Sequence, residues 1–197
     1  MTADEVRAVF RDCGAVLDGH FVLSSGLHSP TFLQKARVFM HAGATERLCR
    51  ALAMRVRERG MGEIDYVVGP AVGGIVPAYE TSRHLQVPAL WVERERGRFR
   101  LRRFAMEPGA RCLVVEDIVT TGLSIRETIA CLREEAATVV GAAVIVDRSG
   151  GAADVGDVPL VALAGWDIPT YSADALPAEL AALPATKPGS RGLGATG

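Results

Sequence analysis

Arg111-Cys112-Leu113-Val114-Val115-Glu116-Asp117-Ile118-Val119-Thr120-Thr121-Gly122-Leu123-Ser124 runs from apolar residues through two acids to hydroxyl side chains and a glycine. Leu113, Val114 and Val115 form a short continuous apolar segment, which suits a strand covered by helices on both faces of a parallel sheet. Residues 124–135 then read as a helix. Ligands of open parallel sheets collect beyond the carboxyl ends of the strands, so Glu116 and Asp117 stand where a ligand would lie. Side chains alternate along a strand, so the two acids diverge and do not chelate one metal as a pair. They suit neighbouring hydroxyls, such as the diol of a ribose. Thr120, Thr121, Gly122 and Ser124 add hydroxyl donors and a close backbone approach, just ahead of a helix start whose free amides and dipole favour an anion. The stretch reads as a sugar-phosphate cradle. It is not a Walker A loop, since no Gly-Lys-Ser/Thr follows the glycine. The plainer reading is a strand turning into a helix, with the Thr and Ser hydroxyls serving only as caps.

The 197 residues, 49% hydrophobic and 23% charged, fit one soluble globular domain with a full core. No apolar run approaches the roughly 20 residues of a membrane span. Asp4 and Glu5 sit where a secretory leader would be basic, so a cytoplasmic protein with no membrane partner is expected. Cys13, Cys49, Cys112 and Cys131 show no Cys-x-x-Cys spacing, so neither a zinc site nor a disulfide framework is indicated. A net charge of -1 provides no global field for nucleic acid. Of 22 basic residues only Lys35 and Lys187 are lysines, which limits the chemistry a lysine performs here.

Thr2-Ala3-Asp4-Glu5 matches a capping box ahead of an apolar face formed by Val6, Val9 and Phe10, predicting a helix over 3–12. Two apolar runs around Ser24-Ser25-Gly26 predict a hairpin. Leu48, Leu52 and Val56 predict a helix over 43–59 whose arginines form a solvated face. Tyr66-Val67-Val68 is a buried strand leading into Gly69-Pro70-Ala71-Val72-Gly73-Gly74. That glycine-rich turn lacks the G-x-G-x-x-G spacing of a dinucleotide site. After the strand Ala89-Leu90-Trp91-Val92 come six arginines within residues 94–103, with Gly97 among them. A solvated charged hairpin is the plain reading. Nucleic-acid binding is disfavoured by a single interleaved aromatic and the lack of a second basic patch. A mobile cationic arm that stabilises a phosphorylated leaving group is the third reading. Strands are expected over 139–146 and 158–164, and a final helix or turn over 171–183.

Glu116-Asp117-Ile118-Val119-Thr120-Thr121-Gly122-Leu123-Ser124 resembles the phosphoribosyl-pyrophosphate (PRPP) motif of type I phosphoribosyltransferases. Phe21-x-Leu23-x-Ser25-Gly26-x-x-Ser29-Pro30-x-Phe32 is similar to the hood hairpin that covers the nucleobase in orotate phosphoribosyltransferases. The resemblance implies transfer of the phosphoribosyl group from PRPP to orotate, giving orotidine 5′-phosphate and pyrophosphate. It implies that Glu116, Asp117, Ile118, Val119, Thr120, Thr121, Gly122, Leu123 and Ser124 bind PRPP, and that Ala71, Val72 and Gly73 lie along its pyrophosphate. Gly73 occupies the position of a lysine usual in many members. Arg94, Arg98 and Arg100 are implied as further PRPP contacts, with Arg98 and Asp117 as the catalytic groups. Lysines usual in the arginine segment appear as Glu95 and Arg98, and a usual histidine as Arg100. Thr120, Arg148 and Phe32 are implied for orotate, Arg148 on its carboxylate. Mg²⁺ would be held mainly by PRPP and not by protein side chains. A homodimer is implied, with loop 93–104 shared across the interface.

The alternation of strands and helices over 43–163 predicts an α/β fold with a central parallel sheet flanked by helices. A single domain is expected over 1–185, its core at 41–165 and a small hood from 1–40 plus the C-terminal segment, followed by a mobile tail at 186–197. A purine phosphoribosyltransferase and a non-catalytic PRPP-sensing regulator are the competing functions. The hood hairpin and Arg148 argue against the first, and the missing nucleic-acid module against the second.

Overall fold

The computed structural model describes residues 1–23 and 25–188. The N-terminal capping box forms: Thr2 Oγ1 accepts the Glu5 amide at 3.2 Å, and the Glu5 carboxylate accepts the Thr2 amide at 2.7 Å. It starts α1, Ala3–Asp12, whose Val6, Val9 and Phe10 are buried. Phe10 meets Trp166 edge-on with ring centroids 5.7 Å apart, so α1 packs into the main body and not into the hood expected over 1–40. β1, Val16–Val22, and β2, His28–Leu33, form the antiparallel hairpin. α2, Ala36–Phe39, connects it to α3, Ala42–Glu58, where Leu48, Leu52 and Val56 form the buried stripe. One α3 arginine departs from the solvated-face reading: Arg55 donates to the carbonyls of Ala162 at 2.9 Å and Leu163 at 2.6 Å.

Then follow β3, Tyr66–Pro70, α4, Ile75–Leu85, β4, Ala89–Glu95, and β5, Arg98–Arg100. β6, Arg111–Val119, is followed by α5, Leu123–Glu134, β7, Thr138–Asp147, and β8, Leu160–Gly165. α6, Ala178–Ala181, and β9, Ala185–Thr186, complete the described chain. The main sheet has the order β5-β4-β3-β6-β7-β8, parallel throughout except for β5. From β3 the crossover through α4 leads to β4 on one side, whereas β6 pairs on the other. That reversal of strand order makes the crevice beyond the carboxyl ends of β3 and β6 the expected ligand position.

β6 carries the two halves of the core. Leu113 and Val115 belong to one buried cluster with α1, α3 and β8 residues, and Cys112 and Val114 to the other with α5 residues. The strand is longer than its apolar run suggested. Ile118 and Val119 pair with Val146 and Asp147 of β7, so both acids lie inside the strand and not beyond its end. The same alternation sends Asp117 toward the α3 side and Glu116 toward the α5 side.

The hood sheet has the order β2-β1-β9. β9 runs parallel to β1, with His20 opposite Ala185, and the His20 ring lies 3.0 Å from the Leu183 carbonyl, 163 residues away in sequence. The helix or turn expected over 171–183 reduces to α6. Pro169 and Pro177 limit helix there, and Tyr171 instead exchanges two 2.8 Å backbone hydrogen bonds with His28. Of the tail expected at 186–197, residues 189–197 lie outside the described residues. No described helix is long and apolar enough to cross a membrane.

Candidate active site

The crevice between β3 and β6 is lined by two glycine-bearing turns. After β3, an added Cβ at Gly69 would lie 2.3 Å from the Gly74 carbonyl oxygen, and one at Gly74 would lie 2.6 Å from Pro70 Cδ. No side chain fits inside this turn. The Ala71–Val72 peptide is cis, and Val72 and Gly73 are exposed. After β6, Thr120 and Thr121 are exposed, and Gly122 takes φ 83° as the residue before α5. The N-cap residue, Gly122, has no side chain to cap that helix, so among these hydroxyls only that of Thr121 reaches a helix-start amide. Thr121 Oγ1 stands 3.4 Å from the Leu123 amide, and no acceptor among the described residues takes the amides of Ser124 and Ile125. Free amides at a helix start form an anion site. Leu123 is exposed and Ser124 half-buried, while Ser124 accepts the Thr128 hydroxyl through its carbonyl at 2.8 Å.

Asp117 is buried. Its Oδ1 accepts from Lys35 Nζ at 2.7 Å and from the Ile118 amide at 2.6 Å, while Oδ2 is buried without a partner among the described residues. Glu116 is half-buried on the opposite face. Burial first, and the neighbouring Asp117 charge second, push its carboxyl from an ordinary 4.5 up to about 7, against the pull of Lys35 and Arg94. Between those two values the folded chain binds a proton that the unfolded chain has lost, so stability falls as pH rises through that window. Glu116→Gln is expected to remove the slope, gaining on the order of 3 kcal/mol at most above pH 7. Melting curves at pH 5 and pH 8 check this, and parallel slopes for wild type and variant would contradict it.

The sequence pair Asp147-Arg148 does not form the local ion pair that adjacency allows. Asp147 Oδ1 instead accepts the Ser149 amide at 2.7 Å and the Ser149 hydroxyl at 2.6 Å. The Arg148 amide donates to Val119 at 2.9 Å, which ties the end of β7 to the end of β6. Its Nε is buried with no partner among the described residues, and burial lowers the pKa of the guanidinium.

The structure thus brings Glu116, Asp117, the 120–124 turn, the 71–74 turn and Arg148 to one end of the sheet. The sequence matches the family described as "Phosphoribosyl transferase domain" over residues 39–163. It is 68% identical to "Orotate phosphoribosyltransferase 2" of Mesorhizobium japonicum and 64% identical to "Orotate phosphoribosyltransferase" of Brucella canis, each across 98% of this chain and 100% of the relative. The chain belongs to the orotate phosphoribosyltransferase family. The fold agrees: the crystal structure of orotate phosphoribosyltransferase from Aeropyrum pernix superposes with a TM-score of 0.68 at 30% identity, covering 81% of this chain and 93% of that one.

Within this phosphoribosyltransferase the arginine segment differs from a free arm. Arg96 and Gly97 both take positive φ, 50° and 82°, the two-residue turn favoured in tight hairpins. Phe99 is buried beneath it. Arg94 pairs with Glu127, while Arg98 and Arg100 pair with Glu134 at 2.7 and 2.5 Å. Glu134 closes α5, about 15 Å along the helix from Ser124, so Arg98 and Arg100 are held at the far end from the 120–124 turn. Arg94 is near enough to Glu116 to influence its charge. Phe32 lies half-buried on β2 with its ring 5.7 Å from that of Phe21; no ring contact or hydrogen bond joins it to Arg148. Lys35 went unassigned in the sequence, although its rarity was the available signal: it is one of two lysines, and it pairs with Asp117.

Proposed function

We propose that this enzyme transfers the 5-phosphoribosyl group of PRPP to orotate, forming orotidine 5′-phosphate and pyrophosphate in pyrimidine nucleotide synthesis. Its relatives carry that activity in their names, and one feature of this chain carries the reading: the half-buried Arg148, its Nε buried with no partner among the described residues, one strand away from a helix start with free Ser124 and Ile125 amides. A buried donor without a partner is costly, and a planar carboxylate offsets that cost with a bidentate pair.

In this reading Glu116 and Asp117 hold the ribose diol. Thr121, Gly122, Leu123 and Ser124 hold the 5′-phosphate through amides and hydroxyls, while Ile118 and Val119 set the strand end and Thr120 faces both substrates. Ala71, Val72 and Gly73 lie along the pyrophosphate. Arg148 takes the orotate carboxylate, and Phe32 covers the ring when the hood closes. As the anomeric bond breaks, Asp117 stabilises the cationic sugar, and Arg94, Arg98 and Arg100 balance the departing diphosphate. No group of three or more His, Cys, Asp or Glu side chains that could hold a metal occurs among the described residues. In this reading Mg²⁺ would be held mainly by PRPP, with the carboxylates of Glu116 and Asp117 nearby. When bound, such an ion neutralises diphosphate charge.

The family resemblance supports a homodimer in which residues 93–104 reach a neighbouring subunit's site. That exchange requires Arg98 and Arg100 to give up Glu134, and exposed ion pairs of this kind hold by only about 1 kcal/mol or less. Four free cysteines, three of them buried, support a reducing, cytoplasmic setting. The test is turnover with PRPP and orotate, adenine, guanine or hypoxanthine, with and without Mg²⁺. Orotidine 5′-phosphate is expected only from orotate with the metal present, and product from a purine base alone would overturn the reading.

A further inference from the structure

Three groups from distant parts of the sequence meet beside the 71–74 turn. Lys35 Nζ lies 2.7 Å from Asp117 Oδ1. An added Cβ at Gly73 would lie 2.4 Å from Asp117 Oδ2 and 3.3 Å from Lys35 Nζ. Gly73 therefore leaves room for an acid and an ammonium that any side chain there would displace. Lys35 enters from the hood side, two residues after β2 and immediately before α2.

The pair is lopsided. Asp117 is 1% exposed at its side chain and Lys35 41%, so the ammonium reaches a buried carboxylate from the crevice mouth and retains access to solvent. Asp117 keeps one oxygen, Oδ2, buried and without a partner among the described residues. A carboxylate that must take a ribose diol has one oxygen occupied by a cation in the free protein, and the other aimed at nothing.

We propose that Lys35 is a pyrophosphate-binding residue of this site. In the free enzyme its ammonium is parked on Asp117. When PRPP enters, it moves to the diphosphate beside Gly73 and leaves Asp117 Oδ1 with the Ile118 amide alone, opening the carboxylate to the sugar. A lysine suits this exchange because its ammonium is a single mobile point charge on a flexible stem, where a guanidinium would fix a planar pair. The turn contributes backbone without a side-chain cation, and Lys35 supplies that charge from a different element. No bond is made or broken in the exchange; one ion pair replaces another.

The inference rests on the phosphoribosyl-transfer reading, and the test separates the two. Calorimetric binding of PRPP with Mg²⁺, and of Mg-pyrophosphate alone, is measured on wild type, Lys35→Gln and Lys35→Arg, with melting curves and orotate kinetics alongside. Loss of one charge-assisted contact is expected to weaken pyrophosphate and PRPP binding by roughly 10- to 100-fold in Lys35→Gln. Lys35→Arg should recover part of that loss, and KM for orotate should stay within about twofold of wild type. A merely structural clamp would lower the melting temperature of Lys35→Gln and leave its pyrophosphate affinity at the wild-type value, which overturns the proposal. A wild type that binds neither ligand overturns the functional reading and this inference together. A wild type that turns over orotate beside a Lys35→Gln variant with undiminished pyrophosphate binding overturns only the inference.

Discussion

Gly122→Ala is expected to reduce turnover with PRPP by at least about 10²-fold, the scale on which misplacing a bound group by an ångström is felt. Gly122 sits at φ 83°, where a Cβ is strained, and its added Cβ would lie 2.0 Å from the Asp154 carbonyl oxygen and 2.6 Å from its carbon. Those atoms are backbone and cannot rotate away. Either the 120–124 turn or the segment around Asp154 must shift, and the second is also held by an Arg126–Asp154 contact at 3.0 Å. Strain in the left-handed region adds on the order of 1–3 kcal/mol of destabilisation. Steady-state kinetics and a urea melt of the same sample separate the two losses. Near-wild-type affinity for PRPP in this variant would mean that the turn does not grip the phosphate.

The second large effect has opposite signs in two measurements. Arg148→Met is expected to lower kcat/KM for orotate by roughly 10²- to 10³-fold, the worth of a charged pair to a carboxylate at 3 to 4 kcal/mol. The affinity for PRPP should change little. The same variant should be more stable than wild type, by about 1–3 kcal/mol, because an unpaired buried donor is replaced by an apolar chain of similar length. Guanidinium retained at such a cost is the pattern expected where stability is traded for binding. A less stable Arg148→Met with undiminished orotate kinetics would assign Arg148 a packing role.

The sequence made local structure legible wherever one period dominated. The capping box at Thr2, the Leu48-Leu52-Val56 stripe and the apolar runs at Tyr66 and Leu113 all appear as read. Strand length was less visible, because the pairing of Ile118 and Val119 with β7 is a tertiary fact. The arginine segment contained its own answer in Arg96-Gly97 flanked by alternating residues, yet its partners Glu127 and Glu134 lie more than 30 residues later. Lys35 and Asp117 are 82 residues apart, and only the adjacency of β3 and β6 brings the turn at Gly73 between them. Likewise Asp147 stands beside Arg148 in sequence, and only the fold shows the acid occupied by Ser149.

The parallel pairing of β9 with β1 imposes a delay during synthesis. Leu183, whose carbonyl meets the His20 ring just ahead of β9, is translated 163 residues after His20, a gap of roughly 8 to 33 seconds at ribosomal speeds of about 5 to 20 residues per second. Throughout that interval the first hairpin has an open side and nothing to close it. Nascent chains long enough to have built the whole parallel sheet still lack the third strand of the smaller one, so that sheet is completed only after β9 has been made.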